Sequence, residues 1–188
     1  MNRIYQLKIT LKRISPPIWR RVEVPADINL DDLSRIILRT MGWYGGHLMS
    51  FEIGRIEFFG DRESAYEMGG VLMSTARLDK YLIAPKQKGK FTYDFGDDWE
   101  HDVLLEKILD AEVGIKYPRC TAGKRACPPE DCGGPWGYAG ILEALKDPEN
   151  SENEELLEWV GEDFDPEEFE VEGVNGRLGG DVIVRLVR

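Results

Sequence analysis

The stretch KFTYDFGDDWEHDVLLEKI, residues 90–108, alternates apolar and polar side chains on both sides of a turn rich in Gly and Asp. This pattern predicts a β-hairpin. A slip of one residue would exchange the faces of one strand, so the apolar side chains restrict the register. An odd loop of three residues pairs Phe95 with Trp99. Tyr93 then lies opposite His101, and we expect His101 to sit among aromatic rings.

The chain before this stretch predicts a second hairpin and a helix. Residues 4–24 alternate around a Ser-Pro-Pro turn, which is typical of an antiparallel hairpin. Asn29 is the predicted N-cap of a core helix that ends at Gly42. Two short strands follow, the first over residues 49–53. From 60 to 89 the pattern dissolves into Gly, Ser and charged residues, which predicts a surface excursion.

The chain after this stretch predicts helices and a last strand. Pro135 suits the first turn of a helix. Ser151 and Glu154 form a capping box for a second helix. Asn175-Gly176 is predicted as a turn, and residues 181–187 are apolar and β-branched enough for a strand.

Together these elements predict an α+β fold in a single domain, residues 1–188. We expect a mainly antiparallel mixed sheet with an N-terminal hairpin, one core helix packed on the sheet, and C-terminal helices. In chain order the parts are a hairpin-helix-strand unit (1–59), the surface excursion (60–89), the central hairpin with a Cys-, Pro- and Gly-rich loop (90–134), and a helical, acidic part with a final strand (135–188).

The net charge of −11 comes from one segment of the chain. Residues 148–172 contain twelve acids and no Lys or Arg, whereas the remainder has 24 basic and 23 acidic residues. Capping residues and apolar side chains recur along this acidic segment, which predicts that it is folded. The remainder shows no strong basic patch, so a protein or small-molecule ligand is favoured over nucleic acid as the partner.

The sequence predicts a cytoplasmic protein. The first residues alternate in polarity, unlike a signal peptide, and no segment approaches the roughly 18 apolar residues that span a bilayer. No membrane partner is expected. Three cysteines are an odd number, which argues against a disulfide scaffold and favours free thiols or metal ligands.

A zinc site is one interpretation of the cysteines. With His101, the thiols of Cys120, Cys127 and Cys132 would complete a tetrahedral Zn²⁺ shell. Four residues separate Cys127 from Cys132, which is a usual ligand spacing, but six separate Cys120 from Cys127, which is not. The alternative is that small buried thiols pack in the loop and that His101 bonds a backbone carbonyl.

A ligand site is predicted where carboxylates and aromatic rings gather beside this loop. Clustered carboxylates can hold Mg²⁺ or Ca²⁺ or act as acid and base, and rings beside Gly-rich turns can form a pocket. The alternatives are ordinary turn chemistry for the acids and core packing for the rings. The predicted ligand-binding residues are Trp43, His47, Tyr93, Asp94, Asp97, Trp99, Glu130 and Asp131, and Tyr44 and Trp136 belong to the same aromatic set.

Long motifs in the chain resemble those of one protein family. The matching residues are Tyr93 to His101, Cys120-x-x-Gly123, Pro128 to Gly134, Gly137-Tyr138, Gly42-Trp43 with His47-Leu48 and Phe51, Asp147-Pro148, Phe164-Asp165-Pro166 and Asn175. This pattern resembles the plasmid pRiA4b ORF-3-like family over about residues 4–175. The resemblance implies kinship with plasmid-borne proteins and insertion-sequence passengers, some of which carry a resolvase-like label, but it implies no particular reaction.

These observations favour a non-enzymatic binding or interaction module related to mobile-element passenger proteins. The chain shows no Ser-His-Asp order, phosphate-binding Gly loop or His-Glu-x-x-His pattern, and no recombinase-type Ser or Tyr nucleophile in a recognisable context. One alternative is a metal-dependent hydrolase that uses His101 and nearby carboxylates. A second is an accessory protein that binds nucleic acid.

Overall fold

The computed structural model of the protein describes residues 3–161 and 163–179 and the backbone of 185–186. The strands are β1 (Arg3–Leu11), β2 (Trp19–Pro25), β3 (Met49–Ile53), β4 (Ile56–Phe59), β5 (Val71–Leu72), β6 (Lys88–Tyr93), β7 (Trp99–Asp110), β8 (Lys116–Tyr117), β9 (Arg119–Lys124) and β10 (Arg185–Leu186). The helices are α1 (Leu30–Met41), α2 (Arg62–Glu67), α3 (Gly134–Ala144), α4 (Glu154–Val160) and α5 (Val171–Leu178).

Eight strands form one sheet in the order β5-β4-β3-β6-β7-β1-β2-β9. All neighbours in this sheet are antiparallel except β4 and β5. A separate two-stranded sheet joins β8 to β10. The predicted α+β class, N-terminal hairpin and mainly antiparallel sheet are therefore confirmed.

The central hairpin has the predicted parity but a longer loop. Tyr93 pairs with Trp99, and Phe91 pairs with His101. The loop thus contains five residues and not three, so the predicted pairings of Phe95 with Trp99 and of Tyr93 with His101 are wrong. Because the loop is still odd, the apolar side chains share the buried face. Phe95 lies in the turn and is exposed.

The reason for the longer loop is the conformation of its first residue. Asp94 has a φ of 55°, in the left-handed region, so its backbone cannot continue strand β6. Its side chain accepts hydrogen bonds from the backbone N–H of Gly96 (2.9 Å) and Asp97 (3.4 Å). This local turn ends the strand pairing at Tyr93.

Helix α1 has the predicted caps and packs into the core. The Asn29 side chain accepts a hydrogen bond from the backbone N–H of Asp32 (2.8 Å). Gly42 ends the helix with a φ of 94°, a left-handed conformation that glycine adopts without steric cost. One face of the helix is buried with the sheet in a single apolar core.

The segment predicted as a surface excursion, residues 60–89, contains short helices and a strand that contribute side chains to the core. It contains α2, β5 and two single turns of 3₁₀ helix, at Met73–Thr75 and Leu78–Lys80. Met73 and Leu78 are fully buried in the core, and Leu78 N–H donates to the carbonyl of Ile28 (2.8 Å). These elements are too short to show a periodic pattern of apolar residues, so they could not be predicted from the sequence.

The C-terminal part packs on the sheet edge through polar contacts. Asn175 lies inside α5, so the predicted turn at Asn175-Gly176 is wrong. Its side-chain oxygen accepts from Cys120 N–H (2.7 Å), and its amide donates to the Cys120 carbonyl (3.0 Å). Arg125, which is buried, donates to Glu167 (2.6 Å), and the Arg20 guanidinium lies 4.6 Å from the Phe169 ring centre.

Two further C-terminal predictions have different outcomes. The expected capping box at Ser151 is replaced by a short 3₁₀ turn, Ser151–Asn153, which Asn150 caps. Of the predicted last strand, Arg185–Leu186 pairs with β8, and the remaining positions lie outside the described residues. In the described ranges, no helix is long and apolar enough to cross a membrane.

The contact between Asn175 and strand β9 gives a stability prediction. Asn175→Ala removes both hydrogen bonds and leaves the Cys120 backbone unsatisfied, so we expect a loss of about 1–3 kcal/mol in the free energy of unfolding. Urea unfolding measures it. The control is Asn153→Ala, which removes one bond to the Asp147 carbonyl and should cost less than about 1 kcal/mol. Equal losses in both variants would contradict the structural role of Asn175.

Candidate functional site

Three chain segments meet where β6 ends and β7 begins. They are the loop after α1 (43–48), the hairpin turn (94–98) and the loop before α3 (128–133). Asp94 N–H donates to the Leu48 carbonyl (3.0 Å), and Gly133 N–H donates to the Asp97 side chain (3.2 Å). The three segments therefore form one connected surface.

A buried ring cluster lies beneath this surface. The Trp43 ring centre is 5.4 Å from that of Tyr93, 5.6 Å from that of Trp99 and 5.5 Å from that of His101. All four residues are buried, Trp43 at 4% exposure and the others at 1% or less. Trp43 and Trp99, two of the predicted ligand-binding residues, thus lie in the core. They support the surface and do not form part of it.

Tyr93 connects the ring cluster to the surface through its hydroxyl. The hydroxyl donates to Glu130 Oε1 (2.6 Å) and accepts from Gly46 N–H (3.1 Å). Burial, followed by the Glu130 carboxylate, raises the pKa of Tyr93. The phenol therefore remains a donor. Glu130 Oε2 also accepts from the backbone N–H of Tyr44 (2.9 Å), so this carboxylate is fixed by neutral groups.

His47 lies between two carboxylates from different segments. Its Nε2 is 3.0 Å from Asp131 Oδ1, and its Nδ1 is 3.6 Å from Asp94 Oδ2. Its ring packs edge-on against Tyr93, with 5.7 Å between ring centres. Within residues 3–161 and 163–179, these three residues are the one group of His, Cys, Asp or Glu in which three ligand atoms lie within 4.8 Å of one another.

In the described part of the chain, the acids of this surface have no Lys or Arg as an ion-pair partner. Among the described residues, no Lys or Arg forms an ion pair with Asp94, Asp97, Glu130 or Asp131. The neighbouring Asp98, by contrast, pairs with Arg13 (2.9 Å). The four carboxylates therefore give the surface a concentrated negative charge.

Four exposed apolar side chains lie in or next to the same segments as the acids. Tyr44 and Leu48 belong to the first segment, Phe95 belongs to the hairpin turn, and Trp136 lies two residues after Gly134. Tyr44 and Trp136 are 97% and 88% exposed. The backbone of Gly134 abuts the carbonyl of Asp97 so closely that a Cβ there would overlap it. We call the four carboxylates and these four side chains the acidic-aromatic surface.

The predicted zinc ligands do not come together in the described residues. His101 is fully buried; its Nδ1 lies 3.3 Å from the Phe91 carbonyl, and its Nε2 has no hydrogen-bond partner. No group of three ligand atoms includes His101 or a cysteine. All three thiols are free, and burial raises the pKa of Cys127 and of Cys132 to about 12, which favours neutral thiols. The alternative interpretation, packing in the loop, describes the observed contacts.

The burial of His101 also prevents this side chain from reacting with a molecule at the surface. A general base must reach the proton that it abstracts, and His101 has no exposed surface. His47, which the sequence analysis grouped with the ligand-binding residues, is the exposed histidine. The backbone donors of Tyr44, Gly45 and Gly46 were missed because a sequence shows no direction for an N–H group.

This fold and site define a class of protein: an α+β domain with a mainly antiparallel sheet that carries a loop-built acidic surface. Residues 3–173 match the family described as plasmid pRiA4b ORF-3-like protein, and the chain belongs to this family.

Two relatives extend the comparison. The uncharacterized protein y4hQ of Sinorhizobium fredii (strain NBRC 101917 / NGR234) is 38% identical over 167 residues, which cover 86% of this chain and 84% of that protein. The crystal structure of a protein of unknown function, MM3350 from Methanosarcina mazei Go1, has a TM-score of 0.84 at 40% identity. The aligned region covers 92% of this chain and 97% of the chain in that crystal structure. The similarity to these two proteins supports the fold. Any inference about function therefore depends on the geometry of the site.

The burial of His101 gives a pH prediction. Burial lowers the pKa of His101 from 6.5 to about 4. Between these values the unfolded chain binds a proton that the folded chain does not, so this contribution to stability is present above pH 6.5 and is lost as the pH falls toward 4. By urea unfolding at pH 7 and 4.5, we expect the wild type to lose about 2–3 kcal/mol more than His101→Phe. Parallel losses would contradict a neutral, buried His101.

Two glycines of α3 form a matched pair. A Cβ at Gly137 would overlap the carbonyl of Cys132, whereas a Cβ at Gly140 has no neighbour within 4 Å. Gly137→Ala should therefore displace the loop and lower the free energy of unfolding by about 1–3 kcal/mol. Gly140→Ala should raise it by about 0.5–1 kcal/mol, the usual helix preference for Ala. Thermal or urea unfolding tests both, and a stable Gly137→Ala variant would contradict the close approach.

Proposed function

We propose that this protein is a non-enzymatic interaction module that binds a basic segment of a protein partner on the acidic-aromatic surface. The observation that carries this proposal is that four carboxylates, which have no Lys or Arg ion-pair partner among the described residues, share three short segments in or next to which four apolar side chains are exposed. Surface carboxylates attract Lys and Arg by charge-assisted hydrogen bonds. Exposed Tyr and Trp rings bind the same cations through their faces.

The surface is organised before a partner arrives. Glu130 is held by the Tyr93 hydroxyl and the Tyr44 backbone, and Asp97 by the Gly133 backbone. Binding to a preorganised site costs less conformational entropy than binding to mobile loops. Interface centres are typically enriched in Trp and Tyr, which supply large contact areas, and Trp136 and Tyr44 are available for this role.

The same features weigh against the two alternatives. Four carboxylates would repel the phosphates of a nucleic acid, whose binding requires basic side chains. A hydrolase centred on His101 would require access that a fully buried side chain lacks. Family membership does not favour any enzymatic reaction, because both relatives described above are uncharacterised.

The test is selection of peptides from a random display library on the full-length protein, followed by affinity measurement by fluorescence anisotropy. We expect enriched peptides to contain Lys or Arg beside an aromatic or aliphatic residue. Trp136→Ala should weaken their binding at least tenfold, since central interface aromatics typically contribute more than 1 kcal/mol. Trp159→Ala is the control, because Trp159 is also exposed but lies on α4, and it should change affinity less than twofold.

A second control separates the surface from the overall acidity of the chain. Asp131→Asn and Glu154→Gln each remove one negative charge, but only Asp131 belongs to the acidic-aromatic surface. We expect the first to weaken binding and the second to leave it unchanged. Equal effects of the two charge variants, or of the two Trp variants, would show nonspecific attraction and overturn the proposal.

A further inference from the structure

The geometry points to a divalent transition-metal site formed by His47, Asp94 and Asp131. Each residue comes from a different segment, and one ligand atom from each lies within 4.8 Å of the other two. This set differs from the His and Cys set predicted from sequence. It goes beyond the proposed interaction function, because a metal would bind here with or without a protein partner.

The distance between His47 and Asp131 suits two ligands of one shared ion. Metal–nitrogen and metal–oxygen bonds of about 2.1 Å place two neighbouring ligands of a common ion about 3.0–3.4 Å apart. The Nε2 of His47 is 3.0 Å from Asp131 Oδ1. Asp94 lies nearest to the other ring nitrogen, Nδ1 (3.6 Å), and one ion takes only one nitrogen of an imidazole. The exposed His47 and Asp131 side chains would therefore rotate to bring all three ligands to one ion, while Asp94 is fixed by its bonds to the turn backbone.

The electrostatics of the group also favour an ion. Two carboxylates face one imidazole, and among the described residues neither carboxylate has a Lys or Arg partner. A divalent cation would balance both negative charges. The carboxylates of Asp97 and Glu130 would remain available to a partner.

The chemistry of the ligands restricts the choice of metal. Mg²⁺ and Ca²⁺ prefer all-oxygen sites, whereas an imidazole with carboxylates suits Zn²⁺, Mn²⁺ or Fe²⁺. Three protein ligands leave at least one coordination position for water or for a donor group of a bound molecule. The exposure of His47 and Asp131 places this open position on the surface.

The experiment is isothermal titration of untagged, chelator-treated protein with Zn²⁺, Mn²⁺ and Mg²⁺ separately. We expect one Zn²⁺ or Mn²⁺ per chain and much weaker Mg²⁺ binding. His47→Gln and Asp131→Asn should each weaken binding at least tenfold. Asp98→Asn is the matched control in the same hairpin turn, because Asp98 pairs with Arg13, and it should leave binding within twofold of wild type.

A spectroscopic measurement separates this site from a thiol site. Co²⁺ bound by His and carboxylates should show no thiolate-to-metal charge-transfer band, and the variant Cys127→Ser/Cys132→Ser should retain full binding. A charge-transfer band, loss of binding in the Cys variant, or no binding by the wild type would each overturn the inference. None of these measurements uses a peptide, so failure here is distinct from failure of the interaction proposal.

Discussion

The candidate site depends on the burial of the Trp43 ring. This one side chain contacts rings on both strands of the central hairpin, and its Nε1 donates to the carbonyl of Pro128 (2.8 Å). It therefore joins the end of α1, the hairpin and the loop before α3. A buried Trp contributes a large apolar area, and its N–H needs a partner inside the protein. Both requirements are met only when the three segments are together.

A second constraint is how the acidic surface keeps its charge. Glu130 accepts hydrogen bonds from Tyr93 and from the backbone N–H of Tyr44, which are neutral donors. Such donors satisfy the carboxylate oxygens and fix their position without cancelling the negative charge. An Arg at the same place would have formed an internal ion pair. The surface consequently combines fixed geometry with unbalanced charge, which is the arrangement expected of a site for a cation.

Much of the fold was predictable because local patterns agree with the tertiary structure. Asn29 and Gly42 mark the ends of α1, and the alternation in the central hairpin fixes which side chains are buried. The loop length was not predictable, since it depends on the left-handed conformation of Asp94. The role of Asn175 was also hidden, because its partner on β9 is 55 residues away in the chain.

The candidate site was predicted in composition but not in arrangement. Six of the eight predicted ligand-binding residues lie at the surface cluster or bond directly to it: His47, Tyr93, Asp94, Asp97, Glu130 and Asp131. The predicted metal set with His101 stays a prediction, and its four residues do not come together among the described residues. Alternation correctly placed His101 among aromatic rings, and a residue so enclosed is a poor surface ligand. The parity of the hairpin strands therefore indicates that His101 is buried, which makes His47 the better candidate for a surface ligand.

The exposed rings are the feature that folding alone does not explain. Single apolar side chains on a surface are ordinary, but Tyr44, Leu48, Phe95 and Trp136 are all exposed in or beside the three segments that the Trp43 cluster holds together. Grouped apolar exposure with a polar centre is typical of interaction sites. Because the core beneath is already complete, these side chains are free to contact another molecule without disturbing the fold. In the proposed function, stability and recognition would therefore rest on different residues, with Trp43 and Tyr93 beneath the surface.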